Sequence, residues 1–178
     1  MNQLEESIAN AICQCTGQVF STMLATQIIP GEPVIEAATP EANDGVVALI
    51  GVAGPWTGTG SLSCSPRLAC RICSQMLMTE SLSVDEEVLD AVAELTNMVI
   101  GGVKTELEVA LGPLGISIPT VVFGKNFKTK SAIHGEWVVV RFQWEGEPLE
   151  VKLCLGRNEK AAHVLSHAPA PAAGALEV

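Results

Sequence analysis

The stretch that decides the fold is Ser83-Val-Asp-Glu-Glu-Val-Leu-Asp90-Ala-Val-Ala-Glu94-Leu-Thr-Asn97-Met-Val-Ile-Gly101-Gly-Val-Lys-Thr-Glu-Leu-Glu-Val-Ala-Leu111. Val88, Val92, Leu95, Val99 and Val103 recur at helical spacing and form an apolar stripe that predicts a core-facing side. On the opposite side Asp90, Glu94, Asn97 and Gly101 stand at offsets of four, seven and eleven. At about 100° per residue they fall on one stripe roughly 60° wide. Ser83-Val-Asp-Glu86 is a capping-box signature and predicts the helix start; Gly112-Pro113 predicts its end near Leu111. The polar stripe is unusual for a solvated face. Asn competes for local backbone groups, and Gly101 and Gly102 cost a helix interior about 1 kcal/mol each. A carboxylate and a carboxamide one turn apart, with a small residue a turn beyond, read as a surface built for a partner.

Outward from this helix, residues 3–28 read as a first helix with Ile8, Ile12, Cys15, Val19 and Met23 on one face, ended by Pro30-Gly31-Glu-Pro33. Val34 to Ala38 is a candidate strand, and Asn43-Asp44-Gly45 is a turn signal. Val46 to Ala53 and Trp56 to Cys64 read as a hairpin, and Pro66 opens a second helix to about Met78. Ile116 to Phe123 is a strand; Ala132 to Trp144 and Pro148 to Leu155 form a hairpin across Glu145-Gly146. The expected order is α-β-β-β-α-α-β-β-β, a two-layer α+β domain over residues 1–157. It hints at an internal duplication in which the first helix partners the motif helix. Residues 158–178, with Ala168-Pro-Ala-Pro171, cannot bury a core and are expected to be a disordered tail.

Composition narrows the function. The 178 residues carry a net charge of −10, which excludes a binder of nucleic-acid backbone, since that needs a basic field. No Lys or Arg precedes Arg67 and no apolar run reaches membrane length, so neither a signal peptide nor a span is expected and a cytoplasmic protein is the default. Cys70-x2-Cys73 lacks the second pair that a zinc site wants, and the six cysteines are expected to be reduced, buried and apolar, with no metal. Gly51-x2-Gly54-Pro-x3-Gly58-x-Gly60 lacks a Gly-Lys-Ser/Thr and a following helix, so it reads as hairpin-turn glycine rather than a phosphate loop. Lys125 to Lys130 reads as an exposed basic turn. His134 reads as structural, and His163-x3-His167 as incidental spacing in the tail.

Asp90-x3-Glu94-x2-Asn97 resembles, residue by residue, the signature of the CheC/CheX/FliY family of chemotaxis phosphatases, and Pro119 lies where the family pattern has a proline some twenty-odd residues after the Asn. The resemblance runs from about residue 3 to 157. The motif occurs once, in the second of the two long helices, which resembles the CheX type with a single active helix. The fold it implies is a mostly antiparallel sheet packed by long helices. The activity it implies is removal of the phosphoryl group from the aspartyl phosphate of a CheY-like response regulator. A carboxamide can orient a hydrolytic water through its oxygen. The resemblance implies that Asn97 is inserted into the regulator's site to do so. Glu94 would pair with a regulator lysine, Asp90 would be an edge contact, and Gly101 would let the partner backbone approach. It also implies that the regulator supplies Mg2+, that this chain needs no cofactor, and that the protein is a homodimer, with the late hairpin offering the pairing edge.

Two other readings fit the same residues. One is a non-catalytic binding module of the family, in a flagellar switch or as a signalling adaptor. The other is a scaffolding domain whose helix face is inert.

Overall fold

The computed structural model describes residues 1–37, 42–129 and 135–158. Its elements are α1 (Gln3–Met23), β1 (Ile29–Pro30), β2 (Val34–Ala37), β3 (Ala42–Ala53), β4 (Trp56–Cys64), α2 (Pro66–Leu77), α3 (Glu86–Leu111), β5 (Gly115–Ile116), β6 (Thr120–Lys128), β7 (Glu136–Trp144) and β8 (Glu147–Arg157). The strands form one antiparallel sheet in the order β1-β7-β8-β4-β3-β5, with β2 also on β7 and β6 also on β3. Alternate residues of the central strands point to one face: Val46, Ala48, Ile50 and Val52 from β3, Val138, Val140 and Phe142 from β7, Leu149, Val151 and Leu153 from β8. The helices cover that face, which gives the two-layer α+β fold expected, with two short strands added.

The topology is symmetric. Exchanging α1-β1-β2-β3-β4 for α3-β5-β6-β7-β8 turns the sheet order into its own reverse, with β4 and β8 paired at the centre. The first helix is thus the counterpart of the motif helix, as the duplicated element order suggested.

Several local expectations are corrected. α1 stops at Met23, well short of Ile28 and the prolines. Ala25 takes a left-handed conformation at φ 47, and Thr26 N donates back to Phe20 O at 3.3 Å, closing the helix with no glycine to announce it. Asn43-Asp44-Gly45 is no turn but a β-bulge inside β3. Asp44 Oδ1 accepts from Asn126 N at 2.6 Å, and Gly45 sits at φ +109, where a Cβ would meet Cys64 O at 2.6 Å. The cap of α3 is Asp85, accepting from Val88 N at 3.0 Å, and not Ser83. Lys125, Asn126, Phe127 and Lys128 belong to β6 rather than to a turn. The Glu145-Gly146 turn is as expected, both residues having the positive φ of a tight two-residue hairpin. β7 is interior, bordered by β8 and by β1 and β2, so the late hairpin cannot be the open edge. Ala38, Ala132, His134, His163, His167 and the Ala/Pro-rich tail lie outside the described residues.

The glycines of the Gly51–Gly60 stretch serve packing. Gly60 lies under Ile100 of α3, and a Cβ there would come within 3.0 to 3.1 Å of three Ile100 atoms. Gly58 passes so close to β8 that a Cβ would collide with Cys154 O at 2.1 Å. Five of the six cysteines are buried and Cys13 is half-exposed; burial pushes the Cys64 thiol up to about 12. Cys73 accepts from Ser81 Oγ at 3.3 Å. Arg71 pairs with Glu145, and Arg67 with Glu147 at 2.9 Å, across the lower end of the sheet.

The two glycines in the middle of α3 do different jobs. A Cβ on Gly102 would lie 3.1 Å from Cys15 Sγ and 3.3 Å from its Cβ, so Gly102 sets the closeness of α1 to α3. A Cβ on Gly101 would meet only Ile116 Cδ1, at an ordinary 3.6 Å. Gly101→Ala is therefore expected to stabilise by up to about 1 kcal/mol through helix propensity. Gly102→Ala is expected to cost about 1–3 kcal/mol by overpacking two helices. Urea unfolding midpoints of the two variants check this; equal midpoints would contradict it.

Candidate functional site

The site is the outer face of α3 and the chain that passes in front of it. The rotation of α3 is set by its buried side, Val88, Ala91, Val92, Leu95, Val99, Ile100, Val103 and Leu107, which packs on the sheet and on α1 and α2. With that side fixed, Asp90 and Glu94 are exposed and Asn97 is half-buried, one below the other along the solvent face. Among the described residues no side chain hydrogen-bonds or ion-pairs with any of the three. Their carboxylates and carboxamide are unengaged and open to the groove in front of the helix.

The facing wall comes from Ile116, Ser117, Ile118 and Pro119, the link between β5 and β6. Sequence reading merged it into one strand from Ile116 to Phe123; the structure breaks that strand in two because the link turns out of the sheet before Pro119. Ser117 holds it. Ser117 N donates to Gly51 O at 2.9 Å, Gly51 N donates to Ser117 Oγ at 2.9 Å, and Ser117 Oγ donates to Ile118 O at 2.9 Å. Between wall and helix runs a groove of about 550 Å³ lined by Asp90, Ala93, Glu94, Asn97 and residues Ile116 to Pro119. It continues toward the start of α3 as a hollow of about 390 Å³ lined by Glu86, Leu89, Asp90, Ala93, Pro119 and Val121. The lining holds the carboxylates of Glu86, Asp90 and Glu94 and no cation. A bare phosphate would be repelled from it, whereas a cationic side chain would be attracted.

The structure thus brings Asp90, Glu94, Asn97 and Pro119 into one groove, as their shared motif requires. Gly101, one turn beyond Asn97, is partly exposed, with Ile116 Cδ1 of the facing wall as its near neighbour. Ser117 and Ile118 had no sequence signal of their own. The counterpart helix α1 repeats the spacing with Glu6, Asn10, Cys13 and Gly17, but it has Asn10 where α3 has Glu94 and a thiol where α3 has Asn97. One helix alone carries the carboxylate–carboxamide pair. Cys70 and Cys73 lie buried on α2, away from this groove, and among the described residues no group of three His, Cys, Asp or Glu side chains is placed to hold a metal ion. Among the same residues no helix is long and apolar enough to cross a membrane.

Comparison with known proteins agrees with this geometry. The model of the chemotaxis phosphatase CheX family matches residues 46–143. The CheY-P phosphatase CheX of Thermotoga maritima is 30% identical over 129 residues, covering 72% of this chain and 83% of the relative. The crystal structure of the chemotaxis protein CheX from Vibrio vulnificus superposes with a TM-score of 0.74 at 28% identity, covering 84% of this chain and 99% of that one. The CheX–CheY–BeF3–Mg2+ complex from Borrelia burgdorferi shares the fold, with a TM-score of 0.70 at 22% identity, covering 84% of this chain and 97% of that one. With a single motif helix, a matching sheet, and a family match over more than half its length, the chain belongs to the CheX family of chemotaxis phosphatases.

Proposed function

We propose that this protein dephosphorylates a CheY-like response regulator, and that the α3 groove is where the phosphorylated regulator is engaged. The observation that carries the reading is the unengaged Glu94 and Asn97 pair, one turn apart on a helix face opposite a fixed wall. A relative of similar length is a CheY-P phosphatase, and another of the same fold is seen with CheY, beryllofluoride (a phosphoryl-group mimic) and Mg2+.

The division of labour follows from the residues. An aspartyl phosphate is already an activated acyl phosphate; its hydrolysis needs a water held in line and charge stabilisation on the leaving oxygens. The groove presents carboxylates and a carboxamide and no cation, with its serine hydroxyl engaged by Gly51 and Ile118, so the metal and the positive charge are assigned to the regulator. Asn97 contributes the carboxamide that accepts a hydrogen bond from the water and orients it toward phosphorus. Glu94 takes a lysine of the regulator and sets the docking register, and Asp90 lies at the rim of the same contact. One preorganised contact of this kind is worth about 2–4 kcal/mol of barrier. The working unit is residues 1–157. The setting is cytoplasmic, where response regulators are phosphorylated.

We also infer a homodimer. With β7 interior, the sheet is bounded among the described residues by β1 and β2 on one side and by β5 and β6 on the other, and a two-fold contact would join one of these edges to its twin. Light scattering is expected to give twice the 18.7 kDa chain mass; a monomer at micromolar concentration removes the dimer and leaves the phosphatase reading intact.

The activity test is phosphate release from phosphorylated CheY-like receivers of the same cell. Wild type is expected to accelerate it. Asn97→Ala is expected to lower the maximal rate by about a hundredfold or more with an unchanged fold, because the side chain points out and leaves no cavity. Glu94→Ala is expected to raise the half-saturating receiver concentration more than it lowers the rate. Activity of Asn97→Ala within a few-fold of wild type contradicts the water-positioning role; a fall in rate at unchanged half-saturation moves Glu94 from docking to chemistry.

A further inference from the structure

Ile118 is 87% exposed, beside a groove whose other wall carries Glu94 and Asn97. An isoleucine in open solvent is usually on a yielding loop. This one is not. Ser117, its neighbour, is tied to Gly51 of β3 twice, its N–H donating to Gly51 O and its hydroxyl accepting from Gly51 N, and the same hydroxyl donates to Ile118 O. Pro119 fixes the backbone on the other side. Ile116 is seated against Gly101 of α3, so the wall is anchored to the motif helix as well as to the sheet. An apolar side chain is therefore held out at a set height, next to the residues that meet the regulator. Its surface is recovered from water only by a partner.

We propose that Ile118 is a docking contact for the phosphorylated receiver. It would pack on an apolar side chain that borders the receiver's phosphorylation pocket, with Ser117 as the positioning residue that presents it. This rests on the reading of the groove as the receiver's site. The groove is otherwise acidic, which attracts a receiver lysine but gives little buried area. Ile118 adds the apolar anchor that such a charge contact lacks, across the groove from Asn97. It touches the receiver beside the reacting atoms, so it affects affinity and the choice of receiver rather than the rate of the bound complex.

The test compares Ile118→Ala, Ile118→Val, Ser117→Ala and the double variant Ser117→Ala/Ile118→Ala. Two readouts are used: phosphate release from the phosphorylated receiver, and binding to the receiver loaded with beryllofluoride and Mg2+. Ile118→Ala is expected to raise both the half-saturating concentration and the Kd about tenfold, at an unchanged maximal rate. Ile118→Val is expected to recover most of the affinity. Ser117→Ala is expected to weaken binding less, and the double variant to bind no worse than Ile118→Ala, since a presenter has nothing to present once the anchor is gone. Binding by Ile118→Ala within twofold of wild type overturns the inference, as does additive loss in the double variant. If wild type turns over the receiver and Ile118→Ala behaves like it, only this inference falls; if wild type neither binds nor turns over any receiver, the reading of the groove falls with it.

Discussion

Ile100 of α3 rests on Gly60 of β4 with no room for a Cβ between them, and everything at the site follows from that contact. It sets the height of the helix above the sheet and its rotation about its own axis. Gly102 against Cys15 fixes the same helix sideways against α1. Held at two points, α3 has only one face left for solvent, and that face is the stripe Asp90, Glu94, Asn97. The glycines of β4 and the second glycine of α3 are thus the conditions under which this polar stripe can be rigid. Preorganisation of this kind is what a water-positioning group requires, since a carboxamide that had to be ordered on docking would lose much of its effect.

The same economy shapes the opposite wall. The link from β5 to β6 is short, polar at its backbone and exposed at its side chains. It stays in place through one serine hydroxyl that accepts from one chain segment and donates to another. The groove that results is acidic and lacks the groups that phosphoryl transfer needs on its own. On the proposed function it is half of a site, which the regulator would complete with metal and cation. The duplicated architecture is asymmetric in the same respect: α1 keeps the spacing but has Cys13 and Asn10 in place of the pair, so one helix face alone carries a carboxylate and a carboxamide at these positions.

How much of this the sequence carried depends on how local each cause is. α3 was legible but for its start, where Asp85 and not Ser83 is the cap, because its periodicity and Gly112-Pro113 act within a few residues. The Glu145-Gly146 turn was legible for the same reason. The end of α1 was not, because Ala25 adopts a conformation usually left to glycine. Asn43-Asp44-Gly45 was misread because the chemistry that makes a turn also makes a bulge, and Asn126, far along the chain, decides between them. The edge role given to the late hairpin failed because pairing with β1 and β2 is a long-range fact. The wall of the groove was invisible for a like reason: Ser117 acts on Gly51, 66 residues earlier. Of the site, the helical half could be read directly, and the facing half exists only in three dimensions.

The central claim is that a phosphorylated receiver meets this chain on the α3 groove. The most direct measurement is an amide chemical-shift map of the isotope-labelled protein, titrated with unlabelled receiver loaded with beryllofluoride and Mg2+. The account predicts that perturbations gather on residues 86–101 and 116–121, with Asn97 among the largest, and leave the outward face of α1 around Asn10 and Cys13 unmoved. Perturbations centred on α1 or on the sheet edges, with α3 silent, would contradict it.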